Sequence, residues 1–117
     1  MQKKVYYLST CNTCKRIMNE LNIGDEFDQQ DIKTDKMTVG QLEEMQKLTG
    51  SYEALFSRVA RKYKELNLKE KTLTEDDYKN YILEEYTFLK RPVFIVGDEI
   101  FIGNSKKNVA ALAEKLK

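Results

Sequence analysis

Val5-Tyr6-Tyr7-Leu8-Ser9-Thr10-Cys11-Asn12-Thr13-Cys14-Lys15-Arg16 is the stretch on which the reading of this chain turns. Its apolar opening, Val5 to Leu8, is short and rich in strand-forming side chains. From Asn12 the pattern changes. Cys14, Ile17, Met18 and Leu21 recur at i, i+3, i+4 and i+7, the spacing of one helix face. A strand over 4–8 therefore delivers Cys11 to the N-terminus of a helix over 12–21. Unpaired N–H groups and the helix dipole at that point favour a thiolate over a thiol.

Cys11 is accordingly the candidate nucleophile. The backbone around Asn12 and Thr13 offers an anion-binding end, and Lys15 and Arg16 add nearby cations. Cys14 lies one helical turn further on and admits two readings. At that spacing it can resolve a mixed disulfide or sulfenic acid formed on Cys11. It also shares the Ile17 and Met18 face, where a free cysteine packs as a small hydrophobe.

The remaining composition narrows the chemistry. The chain has 117 residues, enough for one ordinary domain, and its hydrophobic and charged shares of 41% and 33% are those of a globular protein. Histidine is absent, which excludes a Ser-His-Asp triad, a cysteine–histidine dyad and any histidine-ligated zinc site. No metal or organic cofactor is expected. A net charge of +1 gives no reason to expect direct nucleic-acid binding. Met1-Gln2-Lys3-Lys4 is followed by only a short apolar run, too brief for a signal-peptide core, and no segment is long enough to span a bilayer. A cytoplasmic protein is expected, with no membrane partner. Thiols are kept reduced there, so a C-x-x-C pair points to catalysis, redox sensing or metal binding rather than to a structural staple.

Further along, a weak second strand is expected over 27–32. Thr38 reads as a helix N-cap with Gln41 as its capping-box partner, Val39, Leu42, Met45 and Leu48 inward, and Gly50 at the end. A short helix is expected over 51–56. The stretch 58–71 reads as solvated loop and helix face. Thr74 caps a helix carrying Asp77 in its first turn and an apolar face of Tyr78, Tyr81, Ile82 and Tyr86. Val93 to Val96 and Ile100 to Ile102 form a hairpin about Gly97-Asp98, and Ser105 caps a last helix with Val109, Leu112, Ala113 and Leu116 inward. The order is β-α-β, a helical stretch, then β-β-α. One four-stranded mixed sheet in a single α/β domain over 1–117 satisfies it, with a helical insertion at about 38–88.

Two arginines stand at element boundaries. Arg58 follows Ser57, and Arg91 immediately precedes Pro92, the only proline. A guanidinium fork grips tetrahedral oxyanions, although most arginines are solvated surface charges. Pro92, at the mouth of the hairpin strand, is a candidate cis proline.

Taken together these residues resemble a known family. Cys11-Asn12-Thr13-Cys14-Lys15-Arg16, Phe56-Ser57-Arg58 followed by Tyr63 and Leu66, Leu89-Lys90-Arg91-Pro92-Val93-Phe94, and Ile102-Gly103 are similar to the ArsC-type arsenate reductases. That family also holds the Spx transcriptional regulators and small YffB-like proteins. The resemblance covers essentially the whole chain. It implies a thioredoxin-like, glutaredoxin-like fold with Pro92 as a structural cis proline. It further implies a thiol oxidoreductase in which Cys11 attacks an oxyanion such as arsenate, or a disulfide, while Asn12, Thr13, Arg58 and Arg91 hold the anion. Glutathione or a glutaredoxin- or thioredoxin-like protein would supply the electrons, with Cys14 as a second thiol. The third arginine of the glutathione-coupled enzymes falls near Gly103 and Asn104, where this chain has none. The alternative the resemblance carries is a Spx-like regulator that binds RNA polymerase and uses Cys11 and Cys14 as a redox switch.

Overall fold

The structure, a computed structural model, describes residues 2–117. The chain divides into two units, one made of the part before Met37 together with Arg91–Lys117, the other of Met37–Lys90.

The first unit holds β1 (Lys3–Tyr7), α1 (Asn12–Glu20), β2 (Asp28–Asp31), β3 (Val93–Val96), β4 (Glu99–Ile102) and α5 (Lys106–Lys115). Among the described residues its strands make one four-stranded sheet in the order β2-β1-β3-β4. β1 pairs parallel with β2, with Tyr7 opposite Asp31, and antiparallel with β3, with Val5 opposite Phe94. β3 and β4 close the hairpin, Val96 opposite Glu99. This mixed sheet with its β-α-β and β-β-α arms is the thioredoxin-like fold.

Burial follows strand position. All four residues of β3 are buried, as are Val5 and Tyr6 at the centre of β1. The outer strands carry polar residues such as Asp28, Gln29 and Glu99, which discourage edge pairing. One core gathers Val5, Ile17, Phe27, Phe94, Val96, Phe101 and Leu112, with Met18, Leu21, Val109 and Leu116 packed against it. Each such side chain contributes roughly 1.5–3 kcal/mol by leaving water. Lys4 is buried too, and its ammonium is satisfied by Asp28 Oδ2 at 2.9 Å, directly across the parallel ladder.

The second unit holds α2 (Val39–Thr49), α3 (Arg61–Glu65) and α4 (Glu75–Glu84), with 3-10 turns at Glu53–Leu55, Leu68–Glu70 and Tyr86–Phe88. The capping box expected at Thr38 forms, and the Thr74 cap proves to be a second one. Thr38 Oγ1 accepts the Gln41 N–H at 3.1 Å while Gln41 answers on Thr38 N–H at 3.0 Å. Thr74 and Asp77 do the same. Gly50 ends α2 with φ +94°, a conformation that suits glycine. The centre of this unit is aromatic. Phe56 lies 4.9 Å from Tyr78 and 5.0 Å from Phe88, ring centre to ring centre. Ser57 N–H to Phe88 O and Lys90 N–H to Leu55 O, at 2.7 and 2.8 Å, pair the segments flanking Phe56 and Leu89.

Several expected elements differ in extent. β2 covers only 28–31, because the Phe27 N–H turns back to Gly24 O. The helix expected over 51–56 shrinks to one 3-10 turn, since Phe56 is extended and pairs with Leu89. Val39 is 48% exposed; it sits in the first turn of α2, and Leu42 and Met45 carry the buried face instead. Tyr86 belongs to the 3-10 turn after α4, whose buried member is Phe88. The stretch read as solvated loop and helix face, 58–71, holds the unburied α3 but also a 3-10 turn whose Leu68 is buried. Five residues of helix are too few for a 3.6-residue period to register.

Candidate active site

Cys11 is the N-cap of α1. Its backbone is extended (φ −96°, ψ 110°), and its sulfur accepts the Cys14 N–H at 3.4 Å. A side chain at this position faces the donors that no preceding helical turn satisfies. Sulfur therefore takes the place usually held by a serine or aspartate oxygen.

The turn that presents it is tightly tied. Cys11 N–H donates to Leu8 O at 2.9 Å, closing a β-turn over Leu8, Ser9, Thr10 and Cys11. Ser9 N–H donates to Asp31 Oδ1 at 3.3 Å. Asp31 ends β2 beside Tyr7, so the cysteine turn and the end of β2 are fastened to each other.

Cys11 is half-buried and Cys14 fully buried, and both are free thiols. Their acidities diverge for physical reasons. Partial burial acts to raise the Cys11 thiol. The Cys14 N–H, the Cys14 side chain, the charge of Arg91 and the Thr13 N–H outweigh it and hold the group below its ordinary value of 9.0. Burial pushes the Cys14 thiol up to about 12, reinforced by its hydrogen bond to Cys11 and by the charge of Cys11; a backbone hydrogen bond from Leu8 and the charge of Arg91 act in the other direction. The arrangement makes Cys11 the more acidic of the two thiols.

The charge of Arg91 reaches both cysteines. Arg91 is half-buried, with Nε shut away from solvent, and the Arg91–Pro92 peptide is cis. Pro92 O accepts the Gly103 N–H at 2.9 Å. Of the cations expected from the local sequence, Arg16 pairs along α1 with Glu20 at 3.6 Å, and Lys15 is exposed. Asn12 is exposed at the first position of α1, and Thr13 follows half-buried. Thus Cys11, Thr13, Cys14, Arg91 and Pro92 all lie in the first unit, and Thr13, Cys14 and Arg91 act on Cys11. Arg58 belongs to the second unit. Its Nη2 donates to Glu53 Oε2 at 2.7 Å and to Tyr78 Oη at 3.1 Å. Among the described residues no three of Cys, Asp and Glu come close enough to hold a metal ion, and no helix is long and apolar enough to cross a membrane.

Residues 6–112 match the sequence profile of the ArsC family. The chain belongs to that family. Solved structures agree along nearly all of its length. A putative ArsC family related protein from Bacteroides fragilis is 28% identical, with 100% of this chain and 98% of that one aligned at a TM-score of 0.78. A protein from Staphylococcus aureus COL is 27% identical over 94% of this chain and 97% of its own, at 0.72. An arsenate reductase from Vibrio cholerae is 20% identical over 95% and 97%, at 0.73, a likeness of fold. No curated protein matches the sequence.

The sequence did not single out Asp31 as a partner of Ser9, or Glu53 and Tyr78 as partners of Arg58. Each acts on a partner five to twenty-five positions away, and no local motif announces such a pairing.

Proposed function

We propose that this ArsC-family protein is a thiol oxidoreductase in which Cys11 is the nucleophile, acting on an oxyanion such as arsenate or on a disulfide. The observation that carries this reading is the Cys11 sulfur at the N-cap of α1, facing backbone N–H groups and the field of Arg91. The same donors that hold a thiolate also stabilise negative charge on an attacking or departing oxygen.

With arsenate, the thiolate attacks arsenic and one As–O bond breaks, the oxygen leaving as water after protonation. A donor thiolate then attacks the Cys11 sulfur. The S–As bond breaks with its electron pair going to arsenic, which leaves as arsenite, and a mixed disulfide remains. A second donor thiol reduces that bond, so two thiols are oxidised for each arsenate reduced. With a disulfide substrate the first step is thiolate attack on sulfur and departure of a thiolate. The donor in this reading is glutathione or a glutaredoxin- or thioredoxin-like protein of the cytoplasm, because burial keeps Cys14 protonated. Arg58 is held by Glu53 and Tyr78 within the second unit, and the reading does not depend on it.

The test is arsenate-dependent oxidation of a coupled glutathione system, run beside reduction of a small mixed disulfide. Cys11→Ser is expected to lower the active assay at least 100-fold. Turnover indifferent to that change discards the reading.

A second reading, a Spx-like redox switch that binds RNA polymerase, draws on the two cysteines sharing one helical turn. It requires polymerase capture that differs between reduced and oxidised protein, with little turnover in either assay.

A further inference from the structure

Asp31 stands at the C-terminal end of β2, where two loops leave the parallel pair. Its backbone oxygen accepts the N–H groups of Thr34 at 3.2 Å and Asp35 at 2.8 Å, which folds the chain after β2. Its Oδ1 accepts the Lys33 N–H at 3.2 Å, an Asx-type turn, and the Ser9 N–H at 3.3 Å. The Ser9 side chain also hydrogen-bonds to this carboxylate. One residue therefore ties down both its own loop and the turn that hands Cys11 to α1. The Ile32 N–H to Tyr7 O bond at 2.9 Å holds the backbones together at the same level.

We propose that Asp31 is a positioning residue for the Cys11 thiol: its Oδ1 fixes the Leu8–Cys11 turn so that the sulfur meets the first N–H groups of α1. It touches no reacting atom. Its part is geometric, because a hydrogen bond from an amide to sulfur weakens steeply as the angle closes. The Cys14 N–H reaches the sulfur at 3.4 Å, an ordinary length for a sulfur acceptor, and the contact keeps its strength only while the turn holds the sulfur in line with that N–H. The inference rests on the reading that Cys11 is the reactive thiol.

Geometry and charge predict opposite rankings of substitutions. Asp31→Asn keeps an acceptor at Oδ1 and removes the charge. Asp31→Glu keeps the charge and moves the acceptor by one methylene. Asp31→Ala removes both. If Oδ1 positions the turn, Asn behaves as wild type while Glu and Ala fail together. The measurement is the pH profile of iodoacetamide alkylation at Cys11, read by mass spectrometry, with thermal melts run alongside. Asp31→Asn is expected within twofold of the wild-type rate near neutral pH, with an unmoved titration midpoint. Asp31→Ala and Asp31→Glu are expected to alkylate about fivefold more slowly, with the midpoint displaced toward that of an ordinary cysteine. A purely structural role lowers the melting temperature and leaves the midpoint where it was, which overturns the proposal. So does an Asn variant as slow as Ala, or a Glu variant as fast as wild type. A wild-type Cys11 that titrates as an ordinary cysteine instead defeats the nucleophile reading beneath it, and the two failures are told apart by which protein is abnormal.

Discussion

The backbone N–H of Cys14 donates to the Cys11 sulfur at 3.4 Å, while the Cys14 thiol itself is fully buried. The second cysteine thus acts on the first through two separate groups. Its amide stabilises the thiolate whatever side chain residue 14 carries. Its S–H adds a weaker hydrogen bond and is kept protonated by burial.

That division predicts the behaviour of Cys14→Ala with an external thiol donor. The amide stays, so Cys11 remains below its ordinary value, and turnover with glutathione is expected within about threefold of wild type. A loss of 100-fold in the coupled assay would assign resolution to Cys14 instead.

The same burial predicts an alkaline weakness. A thiol raised from 9.0 to about 12 on folding binds its proton more tightly in the native state. Its contribution to stability is full below the unfolded value and is lost as pH rises from 9 toward 12. Urea unfolding at about pH 10.5 should therefore show wild type losing roughly 2 kcal/mol that Cys14→Ala keeps, relative to the pair compared at about pH 8. Cys11 has the opposite sign: its contribution is present above 9 and falls away as pH drops through its lowered folded value. Equal pH slopes in the two proteins would contradict the burial argument.

Arg91 supplies charge to both sulfurs. Arg91→Ala is expected to move the Cys11 alkylation midpoint upward. It should also weaken protection of Cys11 by arsenate about tenfold or more, the scale of a lost charge-assisted hydrogen bond. Competition by arsenate, phosphate and sulfate against iodoacetamide measures both effects in one titration.

Phe56 is fully buried and makes ring contacts with Tyr63, Tyr78, Tyr81 and Phe88. Phe56→Ala is expected to destabilise the protein by about 3–5 kcal/mol. Thr74→Ala, which removes the oxygen capping α4, should cost about 1 kcal/mol. Denaturant midpoints check both, and a Thr74 effect as large as that of Phe56 would refute this ranking.

Legibility divides along distance in the chain. The capping box at Thr38–Gln41, the N-cap at Thr74, the stop at Gly50, the turn at Gly97-Asp98 and the Cys11 N-cap each close within a few residues. Side-chain type and spacing suffice there, so the sequence alone determined them. The bounds of α3 were not legible because one short turn carries no period.

What the amino-acid order determined by itself was that a cysteine caps a helix behind a strand, and that helices and hairpin follow in that sequence. Tertiary structure alone decided the strand order, that the charge of Arg91 reaches Cys11, that Asp31 grips Ser9, and that Arg58 pairs with Glu53 and Tyr78. Local motifs are set by backbone geometry over three or four residues. A hydrogen bond or a field between distant residues exists only once sheet register and core packing have brought them together, and that depends on the whole chain at once.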